Sequence, residues 1–265
     1  GIRDDLVTGV QTCALPIYTL NDLFSLETRM EFGFDHEPML SFAKRMLDRA
    51  GAGELDSEQL KIEWYKLATD FGFGVREDFS TFSLNGLDES FETSLELAQK
   101  HLLNPRSSNA VWNDTKGIIF AEREDEQKDP NSLSHALAHF HRYGENSRYL
   151  KRPSNEELNA SNVDSLAFLI KQAAESPRSI LYFGPRSPEE IETLLRRSFL
   201  GQAPIHHPRA VNPARSLDPG EDQVYFVHKE MAQAQVRLEF SSGLLDEEIV
   251  PSVQLYNEYL DRKST

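Results

Sequence analysis

Between Leu23 and Phe32 apolar and polar side chains alternate: Phe24, Leu26, Thr28, Met30 and Phe32 are separated by Ser25, Glu27, Arg29 and Glu31. A period of two is the signature of a strand with one buried face. The period then lengthens. From Pro38 to Gly53, Met39, Leu40, Phe42, Ala43, Met46, Leu47 and Ala50 share one helical face, and Ser41, Lys44, Arg45, Asp48 and Arg49 fill the other. Pro38 opens this helix and Gly51 closes it. A second amphipathic helix is expected over Ser57 to Phe71, with Leu60, Trp64, Leu67 and Ala68 inward. Two short strands around a Glu77-Asp78 turn follow, then a third helix from Glu89 to Leu103.

Asn104-Pro105 breaks the chain before a long helix over Ala110 to Glu126. Ser132 to Tyr143 reads as helical, and Asn162 to Ala174 as a helix carrying Val163, Leu166, Phe168, Leu169 and Ile170. Ser179 to Phe183 is expected to be a buried strand ended by the Gly184-Pro185 turn. Ser187-Pro188-Glu189-Glu190 then starts a helix to Phe199, with an N-cap, proline at the first position and early acids. Residues 201–222 hold Pro204, Pro208, Pro213 and Pro219 without an apolar period and read as a linker. Beyond it, Val224 to Val227 and Gln235 to Phe240 are expected to be strands, and Asp246 to Leu260 a helix.

That order of strand, two helices, hairpin and helix, with the wording Asn21-Asp22-Leu23-Phe24-Ser25-Leu26 and Ile180-Leu-Tyr-Phe-Gly-Pro185, resembles the pitrilysin/insulinase family of zinc metallopeptidases. The resemblance implies an α+β fold, a mostly antiparallel sheet with helices packed on one side. Residues 18–200 would form one such repeat and residues 223–260 the start of the next. In catalytic members the first helix carries His-x-x-Glu-His: two histidines one turn apart hold zinc and the glutamate acts as general base. Counted back from Gly51, those positions are Phe42, Arg45 and Met46. The last zinc ligand of the family, a Glu, lies on the helix equivalent to Ala110–Glu126, which here offers Asp114 and Glu122. The resemblance therefore implies a non-catalytic repeat with no catalytic, cofactor-binding or metal residue of its own. Zinc would sit in the catalytic half of the parent. Partners implied are that half, or a homologous catalytic subunit in a processing-peptidase-like complex, and a peptide substrate bound in an enclosed chamber.

The two ends read differently. Gly1 to Ile17 corresponds to the translation of a common short-read sequencing adapter, with Asp5-Leu6 from its index bases, and Asp261 to Thr265 to the opposite strand of the same oligonucleotide. Residues 1–17 and 261–265 are accordingly expected to be non-native, and residues 1–17 to pack against nothing. As a signal peptide the first stretch fails, because Asp4 and Asp5 stand beside Arg3 where a basic region belongs.

Excising the ends removes Arg3, Arg262 and Lys263 with Asp4, Asp5 and Asp261, so the net charge stays at −15. An acidic, unpatterned surface argues against nucleic acid or an anionic membrane as partner. The single cysteine, Cys13, lies in the adapter, so the remainder offers no disulfide and no thiolate ligand. An extracytoplasmic location suits that composition better than a cytoplasmic one. One further pattern bears on metal binding. In Ser-His-Ala-Leu-Ala-His-Phe-His, His135 and His139 lie one helical turn apart, but no third ligand sits at a recognisable spacing. His206-His207 lies in the linker.

Overall fold

The computed structural model describes residues 10–14, 21–211, 216–217, 222–230, 234–239 and 248–263. In chain order the elements are β1 (Val10–Ala14), β2 (Leu23–Met30), α1 (Leu40–Leu47), β3 (Gly51–Ala52), α2 (Ser57–Lys66), β4 (Asp70–Val75), β5 (Ser80–Leu87), α3 (Phe91–Leu103) and β6 (Pro105–Arg106). They continue with α4 (Asn109–Glu126), α5 (Pro130–Tyr143), α6 (Asn155–Ala160), α7 (Val163–Ala174), β7 (Arg178–Phe183), α8 (Pro188–Arg197) and α9 (Val250–Lys263). The sheet order is β1-β7-β2-β5-β4; all neighbours are antiparallel except β1 and β7. β3 and β6 form a separate two-residue ribbon.

Alternation along β2 turns Phe24, Leu26, Thr28 and Met30 to one side, joined there by Phe82 and Leu84 of β5 and Ile180 and Tyr182 of β7. The helices cover this side. Leu40, Ala43, Met46 and Leu47 of α1, Phe91, Leu95 and Leu102 of α3, and Leu166 and Ile170 of α7 close one continuous core over it. The opposite side carries Glu27, Arg29, Ser83 and Asn85 and faces outward. This is the α+β layering expected: a mostly antiparallel sheet with helices on one face.

Local signals set the helix starts. Asp56, Ser154, Asn162 and Ser187 each build a capping box, and Pro188 takes the first position of α8. Gly33 is required by close approach: a Cβ there would meet the backbone oxygens of Arg76 and Glu77 at 2.5 Å, where the loop after β2 docks on the β4–β5 turn.

Some expectations need correction. The second helix ends at Lys66, not Phe71, because Ala68 turns the chain back with φ 47° and Phe71 becomes part of β4. Phe71 stacks on Trp64 at 5.5 Å across that turn. β7 is half-buried, not fully buried, with Leu181 and Phe183 outward. The described parts of the two strands expected after the linker, 224–227 and 235–239, carry no regular secondary structure; a ladder needs a partner strand for its N–H and C=O groups. Finally, residues 10–14 do not pack against nothing: they pair with β7 from Val10↔Arg178 to Ala14↔Tyr182. An unpaired edge accepts main-chain hydrogen bonds from an extended segment whatever its sequence.

Because that contact is backbone at an edge, deleting residues 1–17 is expected to change the stability of the remaining chain by no more than about 1 kcal/mol. Urea unfolding of both forms measures it. A larger loss would show that the segment is an integral strand.

Candidate functional site

α1 and α4 pack side by side, which brings the positions of interest together. Met46 is fully buried and Phe42 nearly so, both within the sheet-facing core. Arg45 is turned to α4 and grips Glu122 with both terminal nitrogens, Nη2 to Oε1 at 2.8 Å and Nη1 to Oε2. The hydrogen bond from Arg45 holds the Glu122 carboxylate below its ordinary pKa, and the same bond raises that of Arg45. Where the resemblance places zinc between two helices, an ion pair spans them. Chemically it differs: a guanidinium has no lone pair to offer a proton or a metal, so Arg45 cannot act as a general base on water. The register of Phe42, Arg45 and Met46 was legible in the sequence. That Glu122, and not Asp114, answers Arg45 was not, because charge pairing between helices depends on their packing.

His135 and His139 share α5, His135 exposed and His139 partly covered. The Nδ1 of His139 lies 3.1 Å from the Ser147 hydroxyl, and its ring rests on Tyr143 at 4.5 Å and Tyr149 at 5.6 Å. Burial, then the nearby Arg148 and Arg142, push its pKa down. Among the described residues no group of three His, Cys, Asp or Glu side chains could hold a metal ion. His206, the other linker-side imidazole, packs edge-on against Phe32 at 4.9 Å, and its backbone N–H donates to the Glu175 carbonyl at 3.2 Å.

The second feature with binding chemistry is the outer edge of β7. Its far end is fastened to α3: Arg186 donates from Nε to both Asp88 carboxylate oxygens at 2.8 and 3.0 Å, from Nη2 to the Asp88 carbonyl, and from Nη1 to Glu92 at 3.2 Å. The Tyr182 hydroxyl donates to Asp88 at 3.4 Å, and burial pushes its pKa up to about 12. The strand is thereby a fixed rail. Its free main-chain groups meet an extended segment in residues 10–14, and Leu181, exposed on the outer face, stands beside that edge. Among the described residues no helix is long and apolar enough to cross a membrane.

No family model matches the chain, and no curated protein matches it. Solved structures do. The chain is similar to the ferredoxin protease FusC, solved as a mutant in complex with Arabidopsis ferredoxin, with a TM-score of 0.68 and 14% identity over 78% of this chain and 23% of that one. It is similar to a peptidase M16 inactive domain from Pseudomonas fluorescens, with a TM-score of 0.63 and 18% identity over 76% of this chain and 50% of that one. The periplasmic protease PqqL from Escherichia coli matches with a TM-score of 0.60 and 14% identity over 76% of this chain. The chain spans half or less of the length of these proteins, covering 22% of PqqL. The fold is that of an M16 peptidase-like domain, the pitrilysin/insulinase-like fold.

Proposed function

We propose that this chain is the non-catalytic, chamber-building half of a zinc-dependent metalloendopeptidase, inactive alone, that holds extended peptide for a catalytic half elsewhere in the parent. The observation that carries the reading is the Arg45–Glu122 pair, with Phe42 and Met46 committed to the core, on a fold shared with an M16 inactive domain. In this reading residues 18–200 are the non-catalytic repeat, 201–222 the linker and 223–260 the start of the next repeat, with the terminal stretches 1–17 and 261–265 adventitious. Peptide would add to the outer edge of β7 as residues 10–14 do, main-chain hydrogen bonds giving affinity and outward side chains preference. The neighbouring periplasmic protease and the absence of cysteine outside residues 1–17 favour an extracytoplasmic setting.

The test uses the purified chain with a quenched-fluorescence peptide mixture, with and without added zinc or chelator. No chelator-sensitive cleavage is expected. The same peptides, followed by fluorescence anisotropy, are expected to bind, and to bind more tightly once residues 1–17 are deleted and the β7 edge is free. Zinc-dependent turnover by the pure chain would sink the reading, and undiminished weakness of binding after the deletion would remove β7 as the peptide rail.

A further inference from the structure

α5 is an amphipathic helix that gives no buried residue to the core, and none of its side chains joins the cluster under the sheet. The chain beyond the linker runs against this helix. The Leu217 N–H donates to the Arg142 carbonyl at 2.7 Å. The ring of Tyr225 stands edge-on to Phe140 at 5.9 Å and to His141 at 5.2 Å. Lys229 Nζ donates to the Gln127 carbonyl at 2.8 Å, and Gln235 Nε2 to Asn131 at 2.9 Å. Arg142 then takes Glu239 with two hydrogen bonds of 2.7 and 2.9 Å, and Glu239 also holds Arg237 at 2.8 Å.

These contacts have an order. The chain meets the C-terminal end of α5 at residues 217 and 225, reaches its N-terminal end by 229 and 235, and is back at Arg142 by Glu239. Two arms therefore run along the helix in opposite directions. Their side chains alternate: Tyr225 and Glu239 are turned to α5, whereas Val224, Phe226, Val236 and Leu238 are turned away and are more than three-quarters exposed. One side of each arm is suited to α5, and the other exposes these four apolar side chains.

We propose that α5 is the docking helix for the module that follows the linker, with Arg142–Glu239 and the Tyr225 ring as its fasteners, so that α5 sets how that module is held against the M16-like body. The occupant is this chain's own residues 222–230 and 234–239, and the linker keeps them at high effective concentration beside the helix. The stripe Val224, Phe226, Val236 and Leu238 is then the inner face of the following module. The inference takes from the proposed function only its division into body, linker and following module; whether the parent cleaves peptides does not enter it.

The experiment is limited chymotrypsin digestion of the full chain, following cleavage after Tyr225 and Phe226 in the parent, Arg142→Glu, Glu239→Arg, the double variant and Phe140→Ala. A docked arm is cut in proportion to the fraction released, so each single charge reversal is expected to speed cleavage roughly fivefold. Phe140→Ala should do the same, and the charge-swapped double variant should fall between the parent and the single variants, because the cation it places at position 239 also faces Arg237. The melting temperature should not change in the singles, because Arg142 and Glu239 lie outside the core. Equal cleavage rates in all five proteins would overturn the proposal, as would a double variant as fast as the singles, or a fall in melting temperature that tracks the cleavage rate.

Discussion

On acidification from pH 7 to pH 4 the chain is expected to lose roughly 3 kcal/mol of stability through His101. His101 lies on α3 against the end of α1, 6% exposed, its ring on Phe71 at 4.9 Å. Its Nε2 lies 3.2 Å from the Leu47 carbonyl, so in the neutral ring that nitrogen is the donor, and Nδ1 has no partner. A proton added to Nδ1 would be buried without an acceptor, so burial lowers the folded-state pKa from 6.5 to about 4. Between those values the unfolded chain binds the proton and the folded chain does not. Stability therefore rises with pH through this window, is fully present above about 6.5 and is lost by about pH 4. His139 and His206, also lowered by burial, act in the same direction but are more open to solvent. Depressed carboxylates such as Glu122 begin to add their loss as pH falls through the ordinary carboxylate range, at the acid end of this window, and complete it below. Urea unfolding at pH 7, 5.5 and 4 of the parent and of His101→Gln, whose amide can still donate to the Leu47 carbonyl, isolates the effect. If the two proteins lose stability in parallel between pH 7 and 4, His101 is not the acid-sensitive group.

His101 also shows where sequence reasoning stops. It sits in an amphipathic helix whose period was plain, and a histidine on an apolar face reads as core. Which carbonyl satisfies it depends on α1 ending beside α3. The same division runs through the molecule. β2, α1, the β4–β5 hairpin, α7 and α8 were legible because period and caps are local properties. The early end of α2 was not, because Trp64 and Phe71 stand seven residues apart, a spacing that serves a helix face as well as a turn that folds back. Nor were α6 and the β3–β6 ribbon, too short to show a period. The apolar run 224–227 and the alternating stretch 235–239 have strand patterns, yet pattern cannot supply the partner a ladder needs. In the candidate site the absence of imidazole on α1 was plain from Phe42 and Met46, but the ion pair that spans α1 and α4 came only with the packing. The β7 edge was legible as a strand and illegible as an edge, since strand order is a property of topology.

That edge depends on the core behind it, so truncating Phe91 is expected to be among the most damaging single changes, at about 3–5 kcal/mol. Phe91 opens α3 and is fully buried. Its ring meets Phe24 of β2 edge-on at 4.9 Å and Tyr182 of β7 at 5.7 Å, and the Arg186 guanidinium lies 5.3 Å from its centroid. One side chain thus joins α3, both central strands and the clamp that fastens the end of β7. Phe91→Ala removes the apolar area and leaves a cavity that two strands and a helix cannot collapse together, because Asp88 and Arg186 pin the same corner. In a chain of this size the loss corresponds to about 10 °C in melting temperature. Phe91→Leu keeps most of the volume but forfeits both edge-to-face contacts, and should cost about 1–1.5 kcal/mol. Calorimetry on the two variants checks the ratio. Peptide anisotropy at a temperature where Phe91→Ala remains folded then separates stability from function: with the Tyr182 support gone, β7 holds its edge less rigidly and binding should weaken in Ala more than in Leu. Equal binding by both variants would show that the rail is set by β2 pairing and the Arg186 clamp alone, without help from the ring beneath it.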